Sequence, residues 1–593
     1  MQALPHPIAN YLRLILIIIL AALFAAILQH RAQILSRFFS RKSTALNLAM
    51  VRLAVLLALL NEVDIKRILT FARLDSALLA PPVGWSPLAA AIPRSPHLVE
   101  AVYALFLISL SLSLIGLFGR WALALTSLSS FYLLTIPQLF GKVDHNHHLV
   151  IFSFLLALFP SCDTLSIDSI RAGIRAVDQG VLLRTQASNA YASGLNAILI
   201  LMGLMYFFPG AWKVAGSWPH WFSSQNMESL LYRRMLELQP TQLQWSALHF
   251  PFGLVLSTYA AVFFELSMIF LILQERLRPL AFIMGLTFHN LTRLLMAIPF
   301  LALQFCYAAL LDWTMLLRLI GTRLGPRILT VIYDPQCKLC RRTIAVLCNL
   351  DWLDLLDLLP NTRLEGLKPA ETAFAVLSFD GTLLPGYDGY QLIASRIVPL
   401  WPVRLLMTLP LVNRIGKAIY RRGAFLRNRD IAGQTGQANM QRTPFITPGA
   451  RAFSVFTICT MFLFGVAHGV NCWPLACYPT FDGPFSLSVK KLTLETVSKS
   501  GRVANYTLSY DQQMGYLFGT GRWDGLVQQQ FRRQRVTKAS SAALVRLWLD
   551  QRRVHECAVA TLFEDNYALQ LPTLTLKFEG RNQLAAFSTS DGI

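Results

Sequence analysis

Val331-Ile332-Tyr333-Asp334-Pro335-Gln336-Cys337-Lys338-Leu339-Cys340-Arg341-Arg342 runs from a short apolar stretch straight into a helix-like segment, with a Cys-x-x-Cys pair at the junction. The pattern predicts a strand over 328–333 that ends at Asp334-Pro335, so that Cys337 opens the next helix. Unpaired N–H groups and the positive end of the helix dipole favour a thiolate there, and Lys338, Arg341 and Arg342 add positive charge. Cys340 lies one turn further on, within reach of Cys337 for a disulfide. Half of a zinc site is the alternative, but such a site needs a second ligand pair, and no other close Cys/His pair follows before Arg451.

Outward from this motif, the composition places the chain in a membrane. Of 593 residues, 54% are hydrophobic and only 14% charged, and long uncharged runs recur. The net charge of +21 does not indicate nucleic acid, because the basic residues gather beside apolar segments rather than in a solvated stripe with interleaved aromatics. Apolar stretches predict about ten helices, over 11–28, 45–60, 99–118, 121–140, 147–159, 191–208, 252–273, 279–298, 301–320 and 453–470. Arg52 lies inside the second and needs partners there. Arginine-bearing segments at 30–42, 120, 171–184 and 275–278 alternate onto one face, which the positive-inside rule assigns to the cytoplasm.

The expected fold is a mainly α-helical polytopic membrane protein with a thioredoxin-like α/β cytoplasmic domain and a small α+β extracytoplasmic domain at the C-terminus. Residues 1–44 hold a first span and basic loop, 45–320 a multi-helix membrane domain, 321–430 the dithiol domain, 431–450 a linker, 451–470 a last span and 471–593 the outer domain. In that outer domain, alternation predicts strands over 486–497, 502–510, 557–563 and 574–578 and a helix over 539–552. Cys472 and Cys477 would meet an oxidising periplasm and could pair there. Four ionisable residues stand out in the membrane domain: Lys213 at the end of a span framed by Trp212, Trp218 and Trp221, then Glu265, His289 and Arg293. They suffice for proton transfer or for a structural ion network, and residue types do not choose between these.

Two resemblances sharpen the reading. Tyr333-Asp-x-x-Cys-x-x-Cys, Arg341-Arg342, the acidic stretch 351–357, the strand 373–379, Asp380-Gly381 and Gly389-Tyr390 resemble the DCC family of thiol-disulfide oxidoreductases. This implies a thioredoxin-like fold, a redox-active disulfide, a protein thiol or disulfide partner, Cys337 and Cys340 as the catalytic pair, and Asp334 and Arg341 as supporting residues. The glycine usual after the Asp is Pro335 here, which removes an N–H from the loop. Asn146-His147-His148-Leu149, Gly210-Ala-Trp-Lys213, Phe264-Glu265-Leu266 and Phe288-His289 occur in the order of the membrane domain shared with vitamin K-dependent gamma-carboxylase, the horizontally transferred transmembrane domain. That resemblance places Lys213 at the position of a lysine base and His147 and His289 at those of two catalytic histidines, and it implies a quinone ligand with carboxylase or epoxidase-like chemistry. No metal is implied. The whole is expected to be a multi-pass protein of a bacterial inner membrane, in contact with lipid. The rival reading is a non-catalytic binding or scaffold bundle carrying a redox module.

Overall fold

The computed structural model describes residues 32–79, 81, 91–140, 146–217, 219–237, 241–296, 298, 300–322, 328–363, 374–378, 380–425, 438–467, 473–475, 488–507, 538–552, 554, 557–570 and 575–588. The predicted first span and the Cys472/Cys477 pair lie outside these. The bundle comprises α1 (Ala32–Ser40), α2 (Ala45–Glu62), α3 (Ile65–Ala72), α4 (Pro96–Ile115), α5 (Gly119–Gln138), α6 (His147–Leu158), α7 (Ile167–Asp178), β1 (Val181–Arg184), α8 (Asn189–Ser217), α9 (Ser224–Glu237), α10 (Gln242–Leu248), α11 (Pro251–Leu273), α12 (Arg278–Met296), α13 (Leu301–Cys306) and α14 (Trp313–Thr322). The dithiol domain follows with β2 (Leu329–Tyr333), α15 (Lys338–Leu350), β3 (Leu356–Pro360), β4 (Phe374–Leu377), β5 (Leu383–Pro385), α16 (Gly386–Arg396), α17 (Trp401–Met407) and α18 (Pro410–Phe425). After β6 (Ala438–Gln441) and α19 (Pro448–Ala467) come β7 (Ser488–Ser498), β8 (Val503–Thr507), α20 (Lys538–Arg552), β9 (Cys557–Gln570) and β10 (Thr575–Ser588).

Nine of the ten predicted spans fall among the described residues and all nine are helical, yet only five helices there are long and apolar enough to cross a membrane, or six if one bent pair counts as a span. That pair corrects the reading of 301–320 as one helix: the chain bends by 76° between Leu310 and Trp313. A second correction concerns α8. It does not end at Phe208 but continues through Pro209 to Ser217, 29 residues or about 44 Å, so Lys213 sits within a helix rather than after it. Gly203 and Gly210 let α8 close on α11: a Cβ at Gly203 would lie 3.0 Å from Ile269, and one at Gly210 2.8 Å from the Cβ of Glu265. This crossing sets Lys213 opposite Glu265. Arg52, fully buried, donates to the carbonyls of Ser161, at 2.8 Å, and Leu165, which is how a guanidinium is tolerated inside the bundle.

The arginine-bearing loops converge at one end. Arg41 pairs with Glu275 at 3.3 Å, Arg442 with Asp163 at 3.3 Å, and the Arg120 guanidinium covers the Phe445 ring. Asp168 accepts from the N–H of Gly119 at 2.8 Å, so the start of α5 and the start of α7 share an anion. The dithiol domain sits at this end. At the other end, Trp473 stacks on Phe131 and Arg546 reaches Asp75, which places the C-terminal domain opposite the dithiol domain.

The dithiol sheet has the order β3-β2-β4-β5, with β2 parallel to β3 and antiparallel to β4, and β5 antiparallel to β4. With α15 after the first strand and α16 after the last, this is the thioredoxin arrangement. Val177 of α7 and Leu182 of β1 belong to its hydrophobic core together with Leu329, Val331, Tyr333 and Ile344. Residues 438–441, expected in a linker, instead pair as β6 in parallel with β1. The C-terminal sheet is antiparallel, ordered β10-β9-β7-β8, with α20 beside it; each predicted strand is present, β9 and β10 being longer than expected.

Candidate functional site

Two sites emerge, one at each level of the chain. The dithiol is built by a tight turn between β2 and α15. The carboxylate of Asp334 accepts from the N–H of Gln336 at 2.9 Å, and its carbonyl accepts from the N–H of Cys337 at 3.2 Å, which delivers Cys337 to the N-cap of α15. There its sulfur accepts from the N–H of Cys340 at 3.3 Å, and the Cys340 thiol lies 2.8 Å from it. Both are free thiols. The Arg341 guanidinium is buried and donates to the carbonyl of Pro335 at 2.9 Å, so it stiffens the loop as well as supplying charge. Cys337 and Cys340 are only 1% and 3% exposed, while Gln336, Lys338 and Leu339 beside them are exposed.

Sequence reasoning missed what holds α15. It lies antiparallel on α7: Ser169 bonds Asn349 at 3.0 Å, Gly173 faces Ala345, and Asp178 accepts twice from Arg342, at 3.0 and 2.7 Å. The hydrogen-bonded Arg342 holds the Asp178 carboxyl below the usual carboxylate range. Burial pushes the third thiol of the domain, Cys348, up to about 12 and keeps it protonated. A signal was available, since α7 is amphipathic and ends in an aspartate, but its partner is some 160 residues away.

The second site is a cavity of about 590 Å³ in the bundle, lined by Lys213, Glu265, His289, His147, Tyr206 and Trp221 among mostly apolar side chains. Three of the residues singled out in the sequence for catalysis, Lys213, His289 and His147, therefore face one space. The Lys213 amine donates to both oxygens of Glu265, at 2.6 Å to Oε2, and stands over the Trp221 ring at 5.1 Å. Tyr206, two turns before Lys213 on the same helix face, bonds His289 Nε2 at 2.6 Å and also the Tyr307 hydroxyl. His289 Nδ1 is buried and meets no hydrogen-bond partner among the described residues. The cavity walls are largely apolar. Two expectations are corrected here: Arg293 is exposed and outside the lining, and Trp212 turns away to donate to the carbonyl of Gly465 at 2.8 Å. Trp218 lies outside the described residues.

Residues 40–318 match the family model of the HTTM domain, and residues 331–431 that of the DCC1-like thiol-disulfide oxidoreductase. The chain joins an HTTM domain to a DCC1-like domain. The boundary between the two matches falls where α14 leaves the bundle and β2 begins, and the cavity lies wholly within the HTTM part while the thiols lie wholly within the DCC1-like part. Neither a curated protein nor a solved structure matches the chain.

Proposed function

We propose that this membrane protein is a thiol-disulfide oxidoreductase in which Cys337 attacks and Cys340 resolves. The observation that carries it is the Cys337 sulfur at the α15 N-cap, bonded by the Cys340 N–H, with the second thiol 2.8 Å away. The Cys337 thiolate attacks one sulfur of a partner disulfide, forms a mixed disulfide and releases one partner thiolate. Loss of the Cys340 proton lets its sulfur attack Cys337, closing the internal disulfide and releasing the second partner thiol. Two electrons pass to the partner, and the reverse sequence oxidises a dithiol.

The HTTM cavity has the character of a seat for an amphipathic, quinone-like or lipid ligand. Its apolar walls suit a ring or chain, and Lys213, Glu265 and His289 offer donors and acceptors to a polar head, His289 Nδ1 in particular. A quinone bound there would supply two-electron chemistry. One specific observation favours the scaffold reading for the membrane half: an amine held by both oxygens of a buried carboxylate is poorly placed to act as a free base, so carboxylase-like chemistry requires Glu265 to take the Lys213 proton first.

The test of the dithiol reading is trapping in the full-length protein in lipid nanodiscs. Cys340→Ser should accumulate mixed disulfides that a reductant releases, and Cys337→Ser should not. Equal trapping by both variants, or by neither, refutes the assignment of roles.

A further inference from the structure

The outer side of the dithiol domain carries an apolar surface that its own fold does not use. α18 holds the domain through Gly416 against Tyr387, Tyr420 against Gly386 and Tyr390, and Lys417 paired with Asp388 at 2.9 Å. The opposite side of the same helix presents Leu411, Ile415 and Ile419, which are 70%, 49% and 67% exposed, together with Val412. At 3.6 residues per turn these four fall within an arc of about 100°. Arg414 and Arg421 border the arc on one side, and Arg422 stands at its end, all three exposed. α17 continues the surface with Leu405, 73% exposed, Leu406 and Arg404. Residues 397–429 contain no Asp or Glu and seven Arg or Lys.

The position of the domain decides what such a surface meets. α14 leaves the bundle at the 76° bend, and its first turn is pinned to the start of the α2 span, where Trp313 N–H donates to Asn47 at 2.8 Å and Thr314 bonds Thr44 at 2.7 Å. A helix turned aside at the level where a span begins runs along the membrane surface, and its outward Met315 and Leu319, 60% and 55% exposed, fit that course. From Thr322 to Ile328 the chain can extend at most about 21 Å, so the dithiol domain begins close to the same level. An apolar arc bordered by arginines, on a segment that carries no Asp or Glu of its own, complements the acyl boundary and anionic headgroups of a bilayer.

We propose that α17 and α18 form a membrane-surface foot of the dithiol domain, with Leu411, Ile415 and Ile419 among acyl chains and Arg414, Arg421 and Arg422 among anionic lipid headgroups. With α15 held on α7 from within, this foot fixes the domain at a second point. The proposal is independent of the redox chemistry.

It is tested in the full-length protein by introducing the photo-crosslinking amino acid p-benzoylphenylalanine at Ile415, at Ile419 and, as a control, at exposed Thr382 in the turn before β5. In nanodiscs of phosphatidylcholine with phosphatidylglycerol, Ile415 and Ile419 should give phospholipid adducts by mass spectrometry several-fold above Thr382. The combined substitution Arg414→Gln, Arg421→Gln and Arg422→Gln lies on the outer face and should lower the yield towards that in phosphatidylcholine alone. Adducts to a second copy or to another segment of the chain, or yields no higher than at Thr382, overturn the proposal.

Discussion

Removing one partner of the Lys213–Glu265 pair tests the bundle architecture at its most costly point. The two side chains are 4% and 8% exposed, and the amine contacts both carboxylate oxygens. Breaking a pair so deeply buried leaves one uncompensated polar group and costs about 3–5 kcal/mol, whereas replacing both partners by apolar residues of similar volume is about neutral or mildly stabilising. Glu265→Leu and Lys213→Met should each lower Tm, by roughly 6–20 °C at about 2–4 °C per kcal/mol. The double variant should recover most of that loss, giving a coupling of at least about 3 kcal/mol. Thermal unfolding followed by intrinsic fluorescence in nanodiscs measures all four corners of the cycle. Single effects that simply add, with coupling under about 0.5 kcal/mol, would show that the two groups do not face each other and would refute the α8–α11 crossing that joins them.

The remaining predictions concern the appended domains. Asp178 has its carboxyl pKa depressed by Arg342, so its contribution to the α7–α15 contact is present above the unfolded carboxylate value of about 4 and is lost as pH falls through the lower folded value. Asp178→Asn should therefore raise hydrogen exchange in α15 at neutral pH and remove the further rise seen in the parent on acidification; unchanged exchange would mean that the ion pair does not hold the helix. Cys348, pushed up to about 12 by burial, should be the slowest of the three domain thiols to alkylate at neutral pH, and rapid modification would contradict its buried placement. A cysteine introduced at exposed Ser500 should react with a membrane-impermeant reagent from the side opposite to Cys337, because the two domains occupy opposite ends of the bundle; labelling of both from one side refutes that.

Local signals carried the sequence reading far where structure is local. Pro335 and the cysteine spacing marked the end of β2 and the cap of α15 to the residue, and alternation found the C-terminal strands, because strand faces repeat every two residues. Hydropathy located the helices but could not see the bend at 310–313, since the two halves together read as one apolar stretch. Lys213, Glu265 and His289 stood out as expensive residues in apolar surroundings, yet their pairing depends on Gly203 and Gly210, whose role appears only when α11 lies against them. Arg293 misled for the same reason. It is one turn beyond His289 on α12, yet its side chain is exposed while Thr292, Leu295 and Met296 around it line the cavity. Tyr307 and the α7–α15 contact arise from tertiary placement alone.

Whether Cys337 is the attacking thiol is decided by competitive alkylation of the reduced full-length protein. With a small iodoacetamide reagent near neutral pH, quantified by mass spectrometry, Cys337 should be modified several-fold faster than Cys340, and oxidation should protect both by joining them in one disulfide. Equal rates, faster modification of Cys340, or an oxidised protein in which the two thiols fail to join would contradict that role for Cys337.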